Sequence, residues 1–330
     1  MNRIAPSMNR HPIPSAGVKR AAQSGFTLLE MTVVLVIIGL VIGGVLVGAD
    51  LIRSAGIRAT VSQIERYNSA VSTFDQKYNA LPGDMNSLIA TQFGFTPRGT
   101  GQAEGDGNGV IQGDECISGQ SETSGETVAF WVDLTTANGL NVNLIDGGFN
   151  TASPIGTSRA AVTGADIANY VPQAKIGGGN YIYVWSGGIN ASPMYTGCSG
   201  ALGDGINYYG LSAVTTLGSS KIGKSGSWTI SNPGLTVAQA YGVDAKIDDG
   251  YPQSGTVTAL YVNGGIAQWA GDSDPTSGGP VVAGDGVAST GSTTTCYDNA
   301  GVAGATEKYS LAQNGGAGVN CALSFQFVTQ

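Results

Sequence analysis

The 330 residues contain a single histidine, His11. The chain beyond it therefore holds no Ser-His-Asp triad, no Cys-His pair and few of the usual zinc sites. Cysteine is sparse too: Cys116, Cys198, Cys296 and Cys321 show no CxxC spacing, which removes the common zinc-ribbon reading. Basic residues are few, 15 Lys and Arg against 23 Asp and Glu, for a net charge of −8. Such a balance leaves no broad basic surface for nucleic acid, and no nucleic-acid partner is expected. Proline is missing from Phe26 to Leu81, and from Phe26 to Ala49 the only charge is Glu30.

What fills that uncharged stretch is an apolar run long enough to span a bilayer. A carboxylate inside lipid costs about 2.5–3.5 kcal/mol on insertion scales, so Glu30 reads as functional and in need of a partner. Residues 1–25 carry Arg3, Arg10, Lys19 and Arg20 and no acid. They read as the positive region of an export signal, with the N-terminus inside and the bulk of the chain outside. The candidate cleavage point, between Gly25 and Phe26, precedes the apolar core, so the core stays on the mature chain. An even cysteine count in an exported segment favours two disulfides, with three pairings open.

Past Asp50, apolar residues fall at Ile57, Val61, Ile64, Tyr67, Val71, Phe74 and Tyr78. Steps of four and three mark one helical stripe. Leu81-Pro82-Gly83 ends the pattern, since Pro disfavours helix before it and Gly starts a turn. A helix from Phe26 to about Asn79 would be about 80 Å long, a stalk below a globular head.

The run Gly25-Phe26-Thr27-Leu28-Leu29-Glu30, followed by MTVVLVIIGLVIGG, resembles the class III signal of type IV pilins and type II secretion pseudopilins. FDQKYNALPGD is similar to a stretch of a subgroup of large pilin-like proteins. The resemblance implies that prepilin peptidase cleaves between Gly25 and Phe26, that Phe26 is N-methylated, and that Glu30 pairs with the Phe26 amine of a neighbouring subunit during assembly. It implies a leader at 1–25, an N-terminal helix at 26–80 (membrane and filament core at 26–52, amphipathic stalk at 53–80) and an α+β head at 81–330. It also implies a disulfide between Cys296 and Cys321, since a C-terminal disulfide loop recurs in pilins, and with it Cys116–Cys198. Loss of the four leader cations would shift the formal balance from −8 to −12. One departure is the lack of proline in the latter half of the helix. Gly39, Gly43, Gly44 and Gly48 stand there instead, in two small-xxx-small spacings that let helices approach closely.

The expected fold is α+β: the stalk helix packed on an antiparallel sheet with large Gly-rich loops. Residues 84–125 read as irregular. Glu126–Thr136 and Thr236–Asp248 have helical spacing, while Tyr181–Ser186, Ile206–Val214, Thr256–Val262 and Ala322–Val328 read as strands alternating with period two, half-buried. In the last, Leu323, Phe325 and Phe327 oppose Ser324 and Gln326.

One loop has metal-ligand spacing. Glu104, Asp106, Asn108, Val110, Gln112 and Glu115 fit D-x-[DN]-x-[DN]-G-x5-E at every defined position but the first, where Glu replaces Asp. Oxygen ligands at alternate positions suit a hard cation, and Gly109 permits the sharp turn. The segment before it is not helical, so the expectation is an EF-hand-like calcium loop without the helix pair. Asp244, Asp248 and Asp249 form a second acidic cluster that reads as solvated. Asp272, Asp274 and Asp285 read as turn residues.

The functional expectation is a structural, non-enzymatic subunit: a precursor in the bacterial inner membrane that joins a helical homo-oligomer, a type IV pilus or pilus-like filament, through an inner-membrane assembly platform. The alternatives are a type II secretion pseudopilin or a scarce tip or minor pilin with an adhesive head. A tethered exported enzyme is disfavoured by the missing histidine and by the lack of any nucleophile motif.

Overall fold

The computed structural model describes residues 26–95, 105–111, 125–136, 144–149, 161–186, 205–219, 228–263, 266–270 and 289–327. They fall into two compact units that divide between Asp50 and Leu51. Helix α1, Leu28–Tyr78, is one continuous element of 51 residues. Within the first unit its large apolar side chains are exposed all round, from Leu28 at 82% to Met31 at 44%. The helix runs unbroken through Gly43 and Gly44. A side chain at Gly39, Gly43, Gly44 or Gly48 would meet nothing within 4 Å among the described residues.

In the second unit α1 turns amphipathic. All seven residues of the expected stripe are buried, together with Thr60 and Ala70. Asn79 takes a left-handed φ of 51° just past the last turn, a common way to end a helix. Gly83 follows at φ +84°, where a Cβ would lie 2.3 Å from the Glu126 carbonyl oxygen, so only glycine fits. Residues 84–125, expected to be irregular, hold a short helix, α2 (Ser87–Gln92), begun by Asn86 accepting from the Ile89 N–H. The signal was present, since Asn is a strong N-cap residue.

The remaining elements in chain order are α3 (Glu126–Thr135), β1 (Val162–Thr163), β2 (Tyr181–Ser186), β3 (Asn207–Ser219), β4 (Trp228–Asn232), β5 (Leu235–Thr236), α4 (Val237–Ile247), β6 (Val257–Thr258), β7 (Leu260–Asn263), β8 (Ile266–Trp269), β9 (Tyr297–Asp298), β10 (Lys308–Tyr309), β11 (Val319–Cys321) and β12 (Leu323–Gln326). The fold is α+β, a long helix packed on antiparallel sheet. Helix α4 begins with a complete capping box between Thr236 and Gln239, which explains why its start was readable.

Among the described residues the main sheet has six strands and is organised on β3. The first half of β3 lies between β2 and β12, with Tyr209 opposite Val184 on one side and Phe325 on the other. Its second half lies between β1 and β4. Strand β6 extends the sheet beyond β12. Three further antiparallel pairs, β5–β11, β7–β8 and β9–β10, stand apart from it.

Two layers cover this sheet. On one face Tyr209 meets Tyr67 of α1 and Phe130 and Trp131 of α3, at ring separations of 6.1–6.3 Å. On the other face Tyr183 lies over Gly210, where a Cβ would come within 2.2 Å of the ring. Its hydroxyl accepts from the Val262 N–H of β7 and from Ser212. Beside it, Ser324 donates to the Leu260 carbonyl and accepts from Trp185 Nε1.

This second layer corrects two expectations. β2 is buried at all six positions rather than half-buried, and Ser324 is buried rather than facing water. The physical reason is that β7 packs over the face that alternation assigned to solvent. YIYVWS is in fact a near-continuous apolar run, the pattern of a strand covered on both faces. The expected strand Thr256–Val262 is also two strands. β6 pairs with β12 and β7 with β8. Ala259 between them bonds to Pro252 and Ala270 instead, so the ladder changes partner there.

Candidate functional site

The first site is the start of α1. Glu30 is the only ionisable residue in the first 22 positions of the helix that begins at Leu28. The Thr27 hydroxyl accepts from the Glu30 N–H at 3.2 Å. The Thr27 N–H and hydroxyl both donate to Glu30 Oε2 at 2.8 Å. Thr-x-x-Glu thus forms a reciprocal capping box. Sequence reading singled out Glu30 and overlooked Thr27, although the three-residue spacing was visible. Phe26 is exposed; Gly25 lies outside the described residues.

The second site joins the end of α1 to the start of α3. One carboxylate oxygen each from Asp84, Asp106 and Glu126 lies within 4.8 Å of the others. Asp84 and Glu126 are buried and Asp106 is exposed. The 105–109 turn wraps the Asp84 carboxylate: Oδ1 accepts from Gly107 at 2.8 Å and Asn108 at 3.3 Å, and Oδ2 from Gly109 at 2.7 Å. The Asp106 N–H reaches Glu126 Oε1 at 3.2 Å. Gly109 adopts φ +84°, the turn its sequence position called for. A Cβ at Gly105 would sit 2.1 Å from the Asp84 backbone, so the close approach requires glycine.

Electrostatically the cluster is unbalanced. Burial pushes the Asp84 carboxyl above the usual carboxylate range and the Asp106 charge adds to this, while the Gly109 and Gly107 N–H groups and a side-chain hydrogen bond with Glu126 pull it down. Three carboxylate oxygens this close together fit a divalent cation.

The expected loop contributes only part of this set. Asp106 is in the cluster. Asn108 instead turns inward on the loop, accepting from Val110 N–H at 2.8 Å and donating to Asp106 Oδ2 at 2.9 Å. Val110 is buried. Glu104, Gln112 and Glu115 lie outside the described residues. Sequence spacing missed Asp84 and Glu126 because they come from other segments. The available signals were an acid directly after Pro-Gly and one in the first turn of a predicted helix.

Asp244, Asp248 and Asp249 also converge, but Asp244 is fully buried rather than solvated. It accepts from Tyr309 Oη at 2.7 Å and Gly250 N–H at 3.0 Å. Asp248 accepts from the N–H groups of Thr256 and Val257, and Asp249 from Tyr251 N–H and Ser254 Oγ. The correction has a packing cause: the last turn of α4 lies against β10, which puts the Tyr309 hydroxyl on Asp244. Asp272, Asp274 and Asp285 lie outside the described residues.

Cys296 and Cys321 form a disulfide across 25 residues. Cys116 and Cys198 lie outside the described residues.

The family model for the prokaryotic N-terminal methylation motif matches residues 20–46. The chain carries a class III signal. That motif is typical of type IV pilins and pseudopilins, and it covers both the Gly25–Phe26 junction and Glu30. Neither the curated proteins nor the solved structures yield a significant match.

Proposed function

We propose that this chain is a prepilin: a structural, non-enzymatic subunit that prepilin peptidase cleaves between Gly25 and Phe26 and N-methylates at Phe26. Residues 1–25 are the leader, 26–52 the inner-membrane anchor and later filament core, 53–80 the stalk and 81–330 the head. The carrying observation is the methylation motif at residues 20–46, leading into a helix whose first part exposes its apolar side chains on every side. Such a surface needs lipid or like helices around it. Assembly into a type IV pilus or pilus-like filament would supply the helices, and the Phe26 amine of a neighbour would neutralise Glu30. Mass spectrometry of the exported protein tests this: a methylated Phe26 start is expected, and an intact 1–25 segment overturns it.

A second reading is a type II secretion pseudopilin or a scarce tip subunit, which the 250 residues from 81 to 330 favour as a large head. Abundance separates a shaft subunit from a tip subunit: the former dominates sheared filaments and the latter is scarce there.

In the head, calcium is the cation proposed for Asp84, Asp106 and Glu126. Carboxylate ligands from separate segments suit its flexible coordination better than the stricter octahedron of magnesium.

A further inference from the structure

A cavity of about 520 Å³ lies between α1, the 146–149 segment and the 168–175 loop, inside the range of about 300–1,000 Å³ usual for small-ligand sites. We propose that it binds an acidic sugar, a pyranose ring that carries a carboxylate, as uronic acids do. The inference stands apart from the reading of processing and assembly, since every residue in it lies beyond Leu51, within the second unit.

The walls are tied together by side chains. Gln63 Nε2 donates to Tyr67 Oη and to the Gln173 carbonyl, and Gln63 Oε1 accepts from the Lys175 N–H, each at 2.9 Å. Arg66 Nη1 donates to Asp146 Oδ2 at 2.7 Å and so joins α1 to the third wall. These bonds shape the cavity before a ligand arrives, which reduces the ordering cost of binding.

The walls also keep unspent polar groups of both kinds. The Lys175 ammonium and the remaining N–H groups of Arg66 make no hydrogen bond among the described residues. The hydrogen bond and charge of Arg66 hold the Asp146 carboxyl below the usual carboxylate range, and the nearby Lys175 charge adds to this. Asp146 Oδ1 accepts nothing among the described residues. Burial pushes the Tyr67 phenol up to about 12, so it keeps its proton and remains a donor. Phe149 is half-buried, its ring 6.1 Å from that of Trp131. A side chain at Gly148 would meet nothing within 4 Å, so the backbone beside that ring is uncovered.

This set selects a ligand by its chemistry. Two cations call for an anion, and a guanidinium matches the planar fork of a carboxylate. Asp146 repels a simple anion such as phosphate but accepts from hydroxyls. The Phe149 ring calls for an apolar face. A uronate brings all three: carboxylate, hydroxyls and a C–H face. An acidic peptide fits less well, because its backbone seeks a strand edge and no described strand lines the cavity.

The test uses the full chain in detergent, with digalacturonate as probe and EDTA present so that calcium cannot bridge the probe to the acidic clusters. Calorimetry and tryptophan fluorescence are the readouts, since Trp131 packs against both Tyr67 and Phe149. Saturable binding with a Kd below about 1 mM is expected, and the neutral dimethyl ester should bind far more weakly. Lys175→Glu should weaken binding at least about tenfold, the equivalent of one charge-assisted hydrogen bond, without lowering the melting temperature. Lys175→Arg should retain most of the affinity. Equal binding of acid and ester, or unchanged binding by Lys175→Glu, would overturn the site. So would saturable binding of an aspartate-rich peptide in place of digalacturonate, or no saturable binding of the probe.

Discussion

The hydroxyl of Tyr309 donates a 2.7 Å hydrogen bond to Asp244, a carboxylate with no solvent exposure at the last turn of α4. Burial pushes the Asp244 pKa from 3.8 up to about 7, with Asp249 and Asp248 adding to the rise and Tyr309 and Gly250 opposing it. The folded value lies above the unfolded one. The stabilisation it brings is therefore complete below a pH of about 3.8 and is lost as pH rises through about 7. Thermal unfolding of the mature protein should show lower stability at about pH 8 than at about pH 5, and Asp244→Asn should flatten part of that slope. Asp84 shares the sign, so the difference between variant and wild type is the readout. An identical slope in both would show that Asp244 does not titrate in this window.

Tyr309→Phe tests the same contact from the other side. Loss of the hydroxyl should destabilise the head by about 1–3 kcal/mol, since the partner carboxylate stays buried with one donor fewer. Chemical denaturation measures it, and the effect should grow where Asp244 is ionised.

Calcium titration probes the Asp84, Asp106 and Glu126 cluster. A ligand that binds only the folded state stabilises by about 2.7 kcal/mol at a hundredfold excess over its dissociation constant. The melting temperature should rise with calcium and fall with EDTA, and Asp84→Asn should abolish the response. An EDTA-insensitive transition would exclude a structural cation there.

Reduction of the Cys296–Cys321 bridge should cost about 3–4 kcal/mol, from the closure of its 25-residue span. The paired Cys296→Ser and Cys321→Ser variant, followed by thermal unfolding, measures this without reductant. It leaves Cys116 and Cys198 untouched.

Gly210→Ala should be among the more damaging single methyl additions, at about 1–3 kcal/mol or more, because its Cβ would enter the Tyr183 ring. The ring is pinned by Val262 and Ser212, so it cannot yield cheaply. Denaturant unfolding should give a lower midpoint.

What the sequence made legible follows from which signals are local. The α1 stripe from Ile57 to Tyr78 was readable because one helical face meets one core. The start of α4 was readable because Thr236 and Gln239 form a local cap. The covering of β2 on both faces was hidden, because it depends on β7 arriving from about eighty residues away. The acidic site was half legible for the same reason. Asp106 lay in a recognisable loop, whereas Asp84 and Glu126 come to it only after α1 has ended and α3 has begun. Asp244 was misjudged because its partner, Tyr309, is 65 residues further on.

Strand β3 binds four neighbours along its thirteen residues, two to each half. Among the described residues, the sheet built on this strand shows no seam along which it could be divided. Proteolytic nicking of its surface loops should therefore leave the fragments held together until the whole unit melts.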